Sequence, residues 1–334
     1  MIFTKKGAIR SAKKDCDLPI LNCYKNGNHY TTIFSDGTKV CETIGFAKNQ
    51  TFKFPENMDL KISDQCPVGC KYCHESSTPN GKFGNIMDLP FVDTLVPGTE
   101  CAIGGGSALN HPDLVPFLRK LKKQGVLANL TVNQKELQIP NLAQKMKVIL
   151  KEDLVHGVGV SLTDNKTFNK TVDEIFGDYP NLVVHTIAGI LNKDDMPCIK
   201  GRKTLILGYK DLKGRRAGEF YESDKAEIEK NITALKLNLP YVRRITKLIS
   251  FDCLAIKQLD PKKRLWVSDK DWNTLFQGED YDETACRTLY IDAVTRTVAR
   301  ASTHPLNDRP KFTNESISEL FKMSKKCLKM SKHK

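Results

Sequence analysis

Residues 66–74 read CPVGCKYCH and pack three cysteines and a histidine into nine positions. Thiols this close together hold a metal or exchange electrons, and their spacing sorts the alternatives. A structural zinc site takes four ligands, commonly two close pairs separated by a longer loop. Here three thiols come from one loop at i, i+4 and i+7, and the chain has no second CxxC. A redox dithiol would use Cys70 and Cys73 and leave Cys66 without a role. Iron–sulfur clusters take closely spaced cysteines, usually four per cluster, so three raise the question of what holds the last iron. His74 would complete a zinc set, but consecutive side chains diverge and make Cys73 and His74 an awkward pair.

The other eight cysteines stand singly at 16, 23, 41, 101, 198, 253, 286 and 327. A long chain with an odd total of eleven is unlike a secreted disulfide scaffold, and a reducing compartment fits better. Isolated thiols there behave as small buried hydrophobes. Cys286 is a lesser candidate for a thiyl or substrate-handling role. Gly104, Gly105, Gly106 and Ser107 form a second stretch of interest, though a glycine run by itself often marks only a turn.

These residues need a frame. MDLKIS (58–63) alternates apolar and polar and runs into Cys66, and ECAIGGG (100–106) is a short strand ending in the glycines. Pro112 suits the first residue of a helix that continues through Leu114, Val115, Leu118 and Leu121 to Gly125. Strands follow at 127–132, 156–162, 181–190 and 203–210, with helices around Leu142–Leu150 and over 171–176. Six strands with crossovers imply a parallel sheet with its ligand site at the C-terminal strand ends, so the cysteine and glycine loops share a rim.

Ahead of this series, Asn26-Gly27 and Asp36-Gly37 signal hairpins of a small β-meander. Behind it, Ile228, Ile232, Leu235 and Leu239 make a helix, TKLISFDCLAI reads as strand, and Ser268 caps a helix ending near Gly278. RTLYIDAVTRTVARAS (287–302) reads as a hairpin turning at Asp292–Thr295, and Ser316 with Glu319 forms a capping box. The expected division is a meander with a basic leader at 1–56, a core at 57–215, an α+β extension at 216–312 and a basic helical tail at 313–334.

Cys66-x3-Cys70-x2-Cys73, with Tyr72 before the third cysteine and a strand before the first, resembles the signature of radical S-adenosylmethionine (radical SAM) enzymes. The resemblance implies a partial (β/α)6 TIM-like barrel. It also implies one 4Fe-4S cluster held by Cys66, Cys70 and Cys73, with the fourth iron taking the amino and carboxylate groups of SAM. Main chain around Tyr72 would lie near the adenine. AIGGGSALNHPDL resembles the family's second-strand segment, with Ser107 and Ala108 where Glu and Pro are usual; this weakens any carboxylate role at Ser107. Gly104, Gly105, Gly106 and Ser107 would cradle SAM by main chain. Asn133 and Ser161, at the ends of the third and fourth strands, would reach its ribose or carboxylate, and TIAGI (186–190) would pack along the adenine. The family also implies a one-electron donor such as flavodoxin or ferredoxin.

Charge adds little about the core. Of a net +13, eleven charges lie in residues 1–14 and 321–334, so basicity belongs to the ends. These serve solubility or contact a polyanion, and an iron–sulfur or zinc protein that binds nucleic acid without turning over SAM is the rival reading. The near-neutral centre favours a peptide or protein substrate over a nucleotide or nucleic acid. GYKDLKGRRAG (208–218) reads as a solvated turn or an anion-binding loop, and His74 and Glu75 as surface residues. No apolar run reaches membrane-spanning length and the first residues lack an apolar signal core, so the expectation is a cytoplasmic protein without a membrane partner.

Overall fold

Strict alternation in NMDLKIS sends Met58, Leu60 and Ile62 to one face, all but fully buried, and Asp59 and Lys61 to the other. The same division repeats along each neighbouring strand and builds a sheet with two unlike faces. The computed structural model describes residues 2–4, 18–35, 38–45, 51–275 and 287–331.

Thirteen strands occur among the described residues. β1 is Ile2–Thr4, β2 Ile20–Asn26, β3 His29–Phe34, β4 Lys39–Thr43 and β5 Asn57–Ser63. β6 is Glu100–Gly105, β7 Leu127–Asn133, β8 Gly157–Ser161, β9 Leu182–Ile187 and β10 Lys203–Leu207. β11 is Leu248–Phe251, β12 Thr288–Asp292 and β13 Thr297–Ala299. β5 to β10 lie side by side in chain order and all parallel. β11 and β1 extend the β10 edge, and β12 and β13 extend the β5 edge, giving one ten-stranded sheet. The mixed α/β class with a large, mainly parallel sheet is therefore as expected from the sequence.

Helices cover the apolar face. α1 (Leu114–Lys123), α2 (Pro140–Lys151), α3 (Asn165–Phe176) and α4 (Met196–Ile199) follow successive strands. α5 (Arg216–Ile245) closes the series, followed by α6 (Cys253–Leu259), α7 (Pro261–Arg264), α8 (Asp269–Leu275) and α9 (Ile317–Ser331). Phe117, Met146, Phe168 and Leu239 from the helices pack with Ile103, Leu130, Val160 and Ile206 from the strands in one continuous core. Each such side chain stabilises the fold by about 1.5–3 kcal/mol through burial.

The opposite face is polar along β5, β7 and β8 and turns apolar at Val183, Ile187, Leu205 and Leu207 of β9 and β10. Asp59, Lys61, Asn129, Thr131, Asn133, Ser161 and His185 alternate with the buried apolar residues of their strands. Such a face, away from the helices, is available to a polar ligand.

β2, β3 and β4 form the antiparallel meander, turning at Gly27 in the left-handed region. The Asp36-Gly37 signal lies outside the described residues. The hairpin is β12 with β13, and Ser316 and Glu319 bond reciprocally as a capping box. Three sequence expectations need correction. Pro112 precedes α1, which starts at Leu114 after Asp113. TKLISFDCLAI is strand only to Phe251, because the Asp252 carboxylate accepts from Ala255 N at 2.7 Å and starts α6. The helix expected over 171–176 begins at Asn165, where the Asp164 side chain caps it.

Candidate functional site at the C-terminal strand ends

The cysteine loop leaves β5 and is held open by backbone bonds: Asp64 N to Lys82 O at 2.8 Å, Cys66 N to Thr78 O at 2.8 Å and Thr78 N to Asp64 O at 3.0 Å. Gly69, at φ +67°, makes the turn between the first two cysteines. All three thiols are half-buried. Burial first, then the neighbouring thiols, pushes Cys70 up to about 11, and burial pushes Cys66 up as well. Donors on one zinc ion lie roughly 3.3–3.7 Å apart. The three sulfurs are not all within 4.8 Å of one another, and His74 Nε2 is turned to Glu75 Oε1 at 3.3 Å. Three thiols on one loop, with His74 turned away from them, suit a metal group that keeps one position open.

The loop is clamped from the far side of the sheet. Arg216, at the start of α5, donates from Nη1 to Cys70 O at 3.2 Å and from Nη2 to Ser77 O, and its N–H donates to Ser76 Oγ at 2.9 Å. Arg215 Nη1 donates to His74 O at 2.6 Å. Two of the four basic side chains of this stretch are thus bonded to the cysteine loop, while Lys210 donates to Ser302 Oγ at 3.1 Å and borders a cleft and Lys213 is exposed. Glu75 also departs from expectation. Its side chain is 7% exposed, 3.0 Å from Lys61 Nζ, and accepts from Tyr290 OH at 3.3 Å. His74 and Lys61 hold its carboxyl well below the usual range despite burial. Lys61 also meets Asp64 at 2.6 Å and Asp292 at 3.2 Å.

The glycine loop is zipped to the entry of the cysteine loop. Gly106 N donates to Ser63 O and Ser107 N to Gln65 O, both at 2.6 Å. Gly105 sits at φ +112°, and a Cβ there would stand 2.6 Å from Ser63 O. This closeness is why glycine is required at 105, whereas a Cβ on Gly104 would meet only Thr131 Cβ, at an ordinary contact distance of 3.9 Å.

Ser107 is fully buried and donates from Oγ to Glu136 Oε1, while Asn133 N donates to Glu136 Oε2 at 2.6 Å. Glu136 is 2% exposed, and burial pushes it up to about 7 against the pull of those two donors. No cation among the described residues pairs with it. A carboxylate therefore does stand behind the glycine loop, contributed by the segment after β7. Sequence analysis missed it, although Asn133-x-x-Glu136 has the form of a capping box and could have drawn attention to it. Asn133 Nδ2 points to Cys70 Sγ at 3.7 Å, and its Oδ1 accepts from Thr163 Oγ1 at 3.1 Å. Ser161 lies in register with Asn133 on one side and His185 on the other. The His185 ring lies where a Cβ on Gly159 would be, and burial pushes it down to about 4.

Tyr72 borders two adjoining clefts. One, about 220 Å³, is lined by Leu162, Thr186, Ile187, Ile190, Leu191 and Asp195; the buried Thr186 Oγ1 has no protein partner. The other, about 320 Å³, is lined by His74, Ile187, Leu207, Gly208, Tyr209 and Lys210. The structure thus gathers Cys66, Cys70, Cys73, Tyr72, the glycine loop, Asn133 and the 186–190 segment at one end of the sheet, with Ser161 in register beside Asn133. Cys101 and Cys198 are buried elsewhere, Cys253 begins α6, and Cys286 lies outside the described residues.

No family model matches the sequence, and no curated protein does. Solved structures do match. Streptococcus suis SuiB bound to its precursor peptide SuiA shares 13% identity at a TM-score of 0.53, over 82% of this chain and 65% of that one. SuiB bound to S-adenosylmethionine shares 14% identity at 0.51, over 81% and 65%. The chain therefore spans less than two thirds of the length of these SuiB chains. It shares the fold of these SuiB structures, and at identities of 13–14% the likeness is one of fold alone.

Proposed function

We propose that the chain is a radical SAM enzyme acting on a peptide or protein. One observation carries this reading: three half-buried thiols of one loop stand beside a glycine loop and an apolar cleft at the C-terminal ends of parallel strands. Cys66, Cys70 and Cys73 would hold a 4Fe-4S cluster. The serial strands β5 to β10 would form the wall of a partial barrel around residues 57–215, with 1–56, 216–312 and 313–334 as additions. When bound and reduced by one electron, from a flavodoxin- or ferredoxin-like donor, the cluster and SAM supply a 5'-deoxyadenosyl radical that takes hydrogen from an unactivated carbon.

The residues of the chain divide the remaining work. Arg216 fixes the loop through Cys70 O and Ser77 O, so the thiols keep their spread without metal. Gly105 and Gly106 let main chain approach the amino-acid end of SAM, with Ser107 bonded behind them. Glu136, raised to about 7 by burial, would give up its proton and become a carboxylate beside a ligand that carries an ammonium and a sulfonium. Tyr72 and Ile187 wall the apolar cleft for the adenine, where Thr186 Oγ1 awaits a partner, and Asn133 and Ser161 face the ribose or carboxylate. The polar face with Asp59, Lys61 and His185 would receive the substrate. A peptide is favoured by the near-neutral core and by the precursor peptide bound to SuiB. The described residues contain no helix long and apolar enough to cross a membrane, and we place the enzyme in the cytoplasm.

Anaerobic reconstitution with iron and sulfide, followed by dithionite and SAM, tests the proposal. Wild type should release 5'-deoxyadenosine and Cys70→Ala should not. A reconstituted wild type that takes up no cluster, or binds nucleic acid tightly without consuming SAM, would favour the rival reading.

A further inference from the structure

A second group of donor atoms lies at the other end of β5. His29 opens β3, Cys41 lies on β4 opposite Thr31, and Glu56 immediately precedes β5. His29, Thr31 and Glu56 are fully buried. Their donor atoms converge: His29 Nε2 is 2.8 Å from Glu56 Oε1, and Cys41 Sγ is 3.7 Å from Glu56 Oε2. One nitrogen, one sulfur and one carboxylate oxygen all fall within 4.8 Å of one another, a closeness the loop of Cys66, Cys70 and Cys73 does not have. The seven residues of β5, about 3.3 Å each, separate the two groups.

We propose that His29, Cys41 and Glu56 bind one divalent cation of the zinc class. Zinc bonds of about 2.0–2.3 Å set tetrahedral donors roughly 3.3–3.7 Å apart, so side-chain shifts of about 1 Å turn the observed triangle into three corners of a zinc site. The mixed nitrogen, sulfur and oxygen set suits zinc better than calcium or magnesium, which take oxygen alone. A water beside the half-exposed Cys41 fills the fourth position, and Thr31 Oγ1, which donates to Glu56 Oε1 at 2.5 Å, orients the carboxylate. Arg287 Nη1 lies 3.8 Å from Cys41 Sγ and donates to it, the kind of outer contact that orients a ligating sulfur. Binding releases the thiol proton to solvent and leaves thiolate, carboxylate and neutral imidazole around the ion. Two ligands come from the meander and the third from the entry to the main sheet, so the ion ties the two sheets together. The role is structural and does not depend on the radical chemistry proposed for the opposite end.

The test uses the full chain with Cys66, Cys70 and Cys73 all changed to Ala, so that metal at the loop is not counted. After gel filtration this protein should retain about one zinc per chain. Cys41→Ser should lose at least about nine tenths of it, and Cys23→Ser, at an exposed thiol in the same meander, should lose none. Cobalt in place of zinc should give a thiolate-to-metal charge-transfer absorption that chelator removes. Absence of that absorption from the chain with its meander intact overturns the proposal whether or not any variant folds. Zinc retained equally by Cys41→Ser overturns it as well. Loss of 5'-deoxyadenosine formation in the wild type would leave this site untouched.

Discussion

Glu136→Gln should have opposite effects on the empty protein and on its hold of SAM. Burial raises the Glu136 carboxyl from 4.5 to about 7, equivalent to about 3 kcal/mol of preference for the protonated form in the fold. A raised acid contributes stability that is full below pH 4.5 and lost as the pH climbs to about 7. Gln is neutral and of the same shape; its oxygen accepts from Asn133 N–H and its amide donates to Ser107 Oγ. Above pH 7 the empty variant should therefore be more stable than wild type by up to about 3 kcal/mol, the two converging near pH 4.5. For a chain of 334 residues, with an unfolding entropy of about 2.1 cal/mol/K per residue, this is ~4 °C in Tm. His185, pushed down to about 4, destabilises the fold as the pH falls through the same interval. The reading is thus the difference between variant and wild type at each pH, in which His185 cancels.

Binding should move the other way. A cation ~6 Å from a carboxylate gains about 3 kcal/mol at an effective dielectric constant of about 20, or roughly 100-fold in affinity. SAM should bind the reconstituted variant ~100-fold more weakly at pH 8, while uncharged methylthioadenosine binds both proteins alike. Calorimetry in buffers of different ionisation enthalpy should find protons released when SAM binds wild type near pH 7, and none released by the variant. A variant less stable than wild type at pH 8, or one with unchanged SAM affinity, refutes this role for Glu136.

Two further substitutions test how the loops are built. Gly105→Ala should cost more than about 2 kcal/mol in denaturant unfolding, from a left-handed φ and a collision with Ser63 O, while Gly104→Ala, with its nearest atom 3.9 Å away, stays within about 1 kcal/mol. Equal costs would mean that the close approach is not real. Arg216→Ala removes two charged donors from loop carbonyls, each worth ~1.5–3 kcal/mol. It should speed alkylation of the three loop thiols in the metal-free protein at least ~10-fold, with Arg216→Lys intermediate; unchanged alkylation would remove Arg216 from the loop's support.

The strands were legible because alternation and strand length are local properties. MDLKIS and AIGGG announce both their faces and the loops that follow, and parallel order places those loops together. What was hidden depends on partners distant in the chain. The arginines of 208–218 look like a solvated run until the approach of α5 brings them to Cys70 and Ser77. Glu75 looks exposed until Lys61 and Tyr290 enclose it. Ser107 reads as the loss of a carboxylate, and only the packing of the turn after β7 shows that Glu136 restores one. TKLISFDCLAI misled because an apolar run cannot distinguish strand from buried helix, and the Asp252 cap settles it.

The central claim is that three loop thiols leave one iron of a cluster open for the amino-acid end of SAM. Electron paramagnetic resonance of the reduced, reconstituted protein, with SAM carrying ¹⁷O in its carboxylate, addresses this directly. The account predicts a cluster signal that changes on adding SAM and broadens with the label. A signal indifferent to SAM, or the absence of any cluster signal from wild type, would contradict it.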